Sequence, residues 1–278
     1  MNIFKQKERE FALARVKQLK EKFPESRQIL DFMERILEFQ NRVIEDISEK
    51  GIPIDTSEAQ GRIKHGKPAL NLSSVDWKPF LPYMRELLDI ASDIGTEEIK
   101  AEADRLRLSS QEELLAQLVN FTEGMETNPI ERLLFMAFLQ PILYVVSDSV
   151  SFKQEAWLKN TCPVCGSKPS VSFLTDTEEW EGGRLLRCSL CLTDWLYIRT
   201  KCVECGNNED DKLDYFVSQD VSYIELQACT QCHRYIKLVD MRKDGLAVPD
   251  LEDIASVSLD LWAEGEGYTK VEKNLLGF

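Results

Sequence analysis

Asn160-Thr161-Cys162-Pro163-Val164-Cys165-Gly166-Ser167 opens the stretch that decides how this chain is read, and Cys229-Thr230-Gln231-Cys232 closes it. All eight cysteines of the 278 residues fall there, as the four C-x-x-C pairs Cys162/Cys165, Cys188/Cys191, Cys202/Cys205 and Cys229/Cys232. The intervals between successive pairs are 22, 10 and 23 residues, and this long, short, long rhythm is an internal repeat. The first pair of each half is followed by glycine, Gly166 and Gly206, whereas Leu192 and His233 follow the second pairs. Two copies of one unit are expected, each holding one metal ion on four sulfurs.

The spacing has a local physical reason. Two thiolates separated by two residues can grip one cation from a tight turn, whose backbone N–H groups point at the sulfurs. Glycine after the second cysteine permits the positive φ that such a turn needs. Two turns facing each other complete a tetrahedral four-sulfur site suited to zinc or to a rubredoxin-type iron. The near-equal long intervals favour sequential pairing, first with second and third with fourth; interleaving, first with third and second with fourth, stays open.

Composition narrows the remaining classes. No run of about 18 apolar residues that could span a bilayer stands out, and Met1 to Arg15 lacks the continuous apolar segment of a secretory signal. A cytoplasmic protein is expected. In a reducing compartment paired cysteines serve as metal ligands or redox groups more often than as structural disulfides. No βαβ pattern surrounds any pair as a thioredoxin-like site would require. The formal net charge is −14, and from Asn160 to Asp240 there are 8 basic against 13 acidic side chains. That sign repels phosphate backbones, so nucleic acid is an unfavoured partner. The two histidines, His65 and His233, have no ligand pattern of their own, and no phosphate loop or dinucleotide fingerprint appears.

Working outward, residues 1 to about 158 read as helical. Ile29, Phe32, Met33, Ile36, Leu37, Val43, Ile44 and Ile47 recur at three- and four-residue steps, which predicts a helix from about Pro24 to Ile47, preceded by one from about Lys7 to Lys22. Residues 51 to 76 are low in pattern and rich in turn formers. Thr96, Ser110 with Glu113, and Asn128-Pro129 with Glu131 are helix start signals. The helix from Pro129 is apolar on most of its circumference and is expected to be central. Between the cysteine turns, Val171 to Leu174, Leu185 to Arg187 and Trp195 to Arg199 predict one small antiparallel sheet. Tyr215 to Val217, Tyr223 to Leu226 and Tyr235 to Val239 predict another. Gly182-Gly183 reads as a hairpin turn, and Glu178, Glu179 and Glu181 as a solvated loop. A last helix is predicted from Asp250 to about Ala263, with an apolar tail to Phe278 docked on the body.

The expected architecture is α+β and multidomain. A large all-helical domain over 1–158 precedes a first four-cysteine unit over 159–199, a second over 200–245, and a C-terminal helix and tail over 246–278. Each four-cysteine unit would be of rubredoxin-like or zinc-ribbon type.

The quoted opening stretch, together with Arg187-Cys188-Ser189-Leu190-Cys191-Leu192-Thr193-Asp194-Trp195, Arg199-Thr200-Lys201-Cys202-Val203-Glu204-Cys205-Gly206 and Cys229 to Lys237, resembles the FdhE family of formate dehydrogenase accessory proteins. Asp253 to Leu261 followed by Glu266-Gly267-Tyr268 resembles that family's closing helix. The resemblance is specific from about Asn160 to Tyr268 and general before it; Asp194 stands where glutamate is usual, and the helical half is short. It implies a non-enzymatic assembly factor that engages the catalytic subunit of a formate dehydrogenase in the cytoplasm, with iron in rubredoxin-like sites. A zinc-ribbon transcription component and a rubredoxin-type electron carrier are the competing classes.

Overall fold

The stripe beginning at Ile29 becomes helix α2 (Arg27–Lys50), which buries Leu30, Met33, Ile36, Leu37, Phe39, Val43 and Ile47 along one side. A single 3-10 turn, Pro24–Ser26, links it to α1 (Ile3–Lys22). The chain is described from a computed structural model over residues 3–154, 157–176, 181–209, 212–218 and 221–278; the expected loop at Glu178 and Glu179 lies outside them. After α3 (Ala59–Lys64) come α4 (Leu81–Ile94), α5 (Glu97–Leu108), α6 (Gln111–Thr122) and α7 (Pro129–Asp148). The start signals act as expected. Thr96 caps α5, Ser110 and Glu113 form a reciprocal capping box on α6, and the Asn128 side chain accepts from the N–H groups of Ile130 and Glu131 at the head of α7.

Helix α7 is the axis of this half, buried on every side from Leu133 to Tyr144. By length and composition it is the one helix among the described residues that could cross a bilayer, contrary to the expectation of no such run. Its most apolar window is 78% buried inside the protein, so a helix ringed by partners has the same composition as one ringed by lipid.

Residues 51 to 76 hold more structure than their pattern suggested. Besides α3 they contain a 3-10 turn at Leu72–Ser74, and Ala69 and Leu70 donate backbone hydrogen bonds to the carbonyls of Pro163 and Val164 at 2.8 and 2.9 Å. The segment is ordered by docking, which local propensity does not report.

The strands are β1 (Pro169–Thr175), β2 (Gly183–Cys188), β3 (Asp194–Leu196), β4 (Leu213–Val217), β5 (Ile224–Cys229) and β6 (Arg234–Asp240). Each triplet is antiparallel as expected, but the two do not form separate sheets. β1 pairs parallel with β6, Val171 opposite Lys237 and Phe173 opposite Val239, giving one sheet in the order β3-β2-β1-β6-β5-β4, with β7 (Thr269–Lys270) alongside β6. Every residue of β1 from Pro169 to Leu174 is buried, which a unit of forty residues could not achieve alone.

The closing helix is two helices, α8 (Pro249–Ala255) and α9 (Val257–Gly265), broken at Ser256. The break follows from Lys237. Its ammonium is fully buried and donates to the carbonyls of Asp253 and Ser256 at 2.7 and 3.0 Å, to Ser256 Oγ at 3.0 Å and to Asp260 Oδ2 at 2.5 Å. An uninterrupted helix would keep the Asp253 and Ser256 carbonyls within its own ladder. Lys270 adds a second cation 2.6 Å from Asp253, while Asn274 and Tyr235 donate to Asp253 and Asp260. The apolar tail docks as expected, with Leu275 buried.

Two arginines tie α1 to the sheet half. Arg187 is bidentate to both Asp194 and Glu8 and also bonds Asp250 at 2.7 Å. Arg15 bonds Glu252 at 2.6 Å and Asp244 at 2.7 Å.

Replacing Lys237 with Met strands Asp253 and Asp260 in the interior with one cation between them. Removing one partner of a buried ion group costs about 3–5 kcal/mol, so the urea midpoint of Lys237→Met should fall well below that of the parent chain; an unchanged midpoint would refute the network's role.

Candidate metal centres

Each C-x-x-C pair sits on a turn of one design. The N–H of the first cysteine bonds the carbonyl five positions on: Cys162 to Ser167 at 2.8 Å, Cys188 to Thr193 at 2.9 Å and Cys202 to Asn207 at 2.7 Å, while Cys229 pairs with Arg234 where β5 meets β6. The residue after the second cysteine turns the chain through positive φ in all four. Gly166 and Gly206 do so at 85° and 73°, and Leu192 and His233 at 55° and 54°. The sequence signalled this only where glycine stands. Leu192 and His233 are the residues it missed, and their place in the repeat was the available clue.

The turns face each other in sequence. Cys162, Cys165, Cys188 and Cys191 form one quartet and Cys202, Cys205, Cys229 and Cys232 the other, with all sulfurs of a quartet within 4.8 Å of one another. The interleaved arrangement is thereby excluded. Neither histidine joins a quartet: His65 Nδ1 lies 2.7 Å from the Gly61 carbonyl, and the His233 ring packs beside Tyr268.

The quartets fit a four-coordinate ion. Four sulfurs held tetrahedrally at a metal–sulfur distance of about 2.3 Å are separated by about 3.8 Å. The second quartet has Cys202 to Cys232 at 3.7 Å and Cys205 to Cys229 at 3.8 Å. The first is slightly tighter, with 3.4 Å from Cys162 to Cys191 and 3.3 Å from Cys165 to Cys188. All are far beyond the length of a disulfide, about 2.05 Å. Backbone N–H groups of Val164, Leu190 and Cys191 point at Cys162 and Cys188 sulfurs from 3.3–3.4 Å, the polarity a thiolate needs.

The thiols do not ionise alike. Burial pushes the Cys162 and Cys188 thiols well up. Cys191 is also buried, but hydrogen bonds from the other three thiols and from Thr193 hold it well below the usual thiol range. In the second quartet burial pushes Cys202 up to about 11, whereas Cys229 is lowered despite burial by the N–H groups of Cys232 and Gln231 and by neighbouring thiols. Burial and crowding thus set the thiols of each quartet against ionising together. A divalent cation is the species that makes four adjacent thiolates tenable.

The first quartet is gripped by the helical half. Besides the bonds from Ala69 and Leu70, Gln40 of α2 donates to Gln140 of α7 at 3.0 Å, and Gln140 donates to the Ser189 carbonyl at 2.9 Å. A Cβ on Gly166 would meet Pro68 at 2.8 Å and face an unfavourable φ, so Gly166→Ala should destabilise the chain by more than about 1 kcal/mol. His233→Gly, at an exposed site, should instead stabilise it by a fraction of the roughly 1–2 kcal/mol that a left-handed residue costs. Thermal unfolding of the two variants checks both signs, and equal shifts in one direction would reject the account.

A family model described as FdhE, central domain, matches residues 161–199, and another, FdhE, C-terminal domain, matches 200–276. The chain is 56% identical to "Protein FdhE homolog" of Aquifex aeolicus over 278 residues, all of this chain and 98% of the relative. It is 29% identical over 196 residues to the protein of that name from Haemophilus influenzae strain Rd, covering 68% of this chain and 63% of that one. Its fold is similar to the crystal structure of the FdhE protein from Pseudomonas aeruginosa, with a TM-score of 0.78 at 24% identity over 95% of this chain and 94% of that one. With more than half its residues identical to a relative along its entire length, the chain belongs to the FdhE family.

Proposed function

We propose that this protein is a non-enzymatic assembly factor that binds the catalytic subunit of a formate dehydrogenase in the cytoplasm and is needed for that enzyme's activity. The observation that carries the reading is FdhE membership along the whole chain, joined to two cysteine quartets with metal-ligand separations. Cys162, Cys165, Cys188 and Cys191 would hold one ion, and Cys202, Cys205, Cys229 and Cys232 the other, iron or zinc in each. A bound ion would cross-link two turns distant in sequence, so part of its binding energy becomes folding energy. The divisions at about residues 158, 199 and 245 belong to this proposal as the limits of the helical half, the two metal-binding repeats and the closing segment.

Several features support a binding protein over a catalyst or a nucleic-acid reader. The thiols, its strongest nucleophiles, are grouped in fours at distances suited to coordination. The charge of −14 repels nucleic acid. The helical half is far larger than an electron carrier requires and offers the surface a client protein would use.

Deleting the gene should leave the formate dehydrogenase polypeptides present and their activity lowered, and tagged protein should co-purify with the catalytic subunit. Replacing Cys162 and Cys165 with Ala should abolish that recovery; undiminished activity in the deletion strain would sink the reading. Elemental analysis should find two ions per chain. Because the sulfurs must lose protons to bind, loading should fall as the pH of dialysis is lowered below neutrality, and pH-independent loading would argue against thiolate ligation.

A further inference from the structure

We infer that the two quartets have different duties: the first is a permanent pin of the fold, and the second is an exchangeable metal site that opens to solvent through Cys205 and Cys232. The inference rests on the reading that each quartet holds a metal ion. It concerns how readily each set of sulfurs gives the ion up.

The repeat makes the two sites equal in donors, so any difference must come from their surroundings. In the first quartet Cys162, Cys188 and Cys191 are 0% exposed and Cys165 is 8% exposed. All four belong to the main hydrophobic core with Val164, Leu190 and Trp195. Thr193 and Ser167 hydroxyls lie 3.1 and 3.4 Å from Cys191 and Cys165, and the helical half holds the turns through Ala69, Leu70 and Gln140. Cys165 is the one sulfur here that meets a cleft, between the α6–α7 connection and its own turn.

The second quartet is covered on one side alone. Cys205 is exposed and Cys232 half-buried. Its core is a satellite in which Cys202 and Cys229 pack with Leu213 and, partly, Cys232. The first repeat, not the helical half, reaches its inner turn, where Asn160 donates to the Val203 carbonyl at 2.8 Å and Lys168 pairs with Glu204 at 2.9 Å. Cys202 and Cys229 are therefore anchored, at 4% and 1% exposure, while their partners face water.

Ligand exchange needs an entering donor to reach the site. At the second quartet a thiol, carboxylate or chelator can approach the Cys205 and Cys232 side directly. The bond from the ion to the entering group forms as the bond to the cysteine sulfur breaks, and the released thiolate takes a proton from water. At the first quartet the same exchange requires the core around Cys188 and Cys191 to open, and such openings approach the cost of global unfolding. The outer site can thus load, empty or pass an ion on without loosening the helical half.

The test uses the full-length chain reconstituted with zinc and checked for two ions by elemental analysis. It is then challenged with excess EDTA while aliquots are quenched in N-ethylmaleimide and mapped by peptide mass spectrometry. One equivalent of zinc should leave at least tenfold faster than the other. Adducts on Cys202, Cys205, Cys229 and Cys232 should accompany the fast phase, and those on Cys162, Cys165, Cys188 and Cys191 the slow one. Both ions leaving in a single phase, or adducts arising first on Cys162 to Cys191, would overturn the division of duties. A chain that takes up no zinc or iron would overturn the metal reading on which it rests.

Discussion

The parallel pairing of β1 with β6 is the constraint on which the rest of this structure depends. It joins two repeats that each build only a three-stranded antiparallel ribbon into one sheet, and so supplies the burial that neither ribbon could provide by itself. It also sets Lys237 beside Val171 in the middle of the sheet, where the ammonium has no water. Everything on that side must then be arranged to receive it: the break at Ser256, the carboxylates of Asp253 and Asp260, and the return of the chain through Lys270.

Buried charge of this kind gives little net stability, because desolvation consumes most of the Coulomb attraction. Its value lies in position. Lys237 accepts only an arrangement in which two carbonyls and two carboxylates converge, and Arg187 only one in which Glu8, Asp194 and Asp250 do. Arg187 adjoins Cys188 in sequence, so the group that fixes the first helix also fixes the arm of a thiol turn. Helical half, sheet and closing helices are registered against one another through polar groups, with the apolar core filling the space between.

The two thiol quartets show how one local motif takes on different characters. The turns are alike in backbone, down to the positive φ after each second cysteine. What separates them is which neighbour covers the sulfurs. Around the first, the segment at residues 68–70 and helix α7 close over the turns, whereas around the second the chain leaves one side to solvent.

The sequence by itself determined what is local or periodic. The C-x-x-C repeat identified all eight thiols and favoured their sequential pairing, since spacing of two residues and equal loop lengths are properties of the chain alone. The stripe from Ile29 to Ile47 and the caps at Thr96, Ser110 and Asn128 located helices for the same reason. Only the tertiary structure decided that the ribbons share a sheet, that α7 lies in protein instead of lipid, that residues 68–70 dock on a thiol turn, and that the last helix breaks at Ser256. Each of these depends on groups far apart in sequence, as Lys237 and Asp253 or Gln140 and Ser189 are. A contact that does not exist until the chain has folded leaves no period or motif to read.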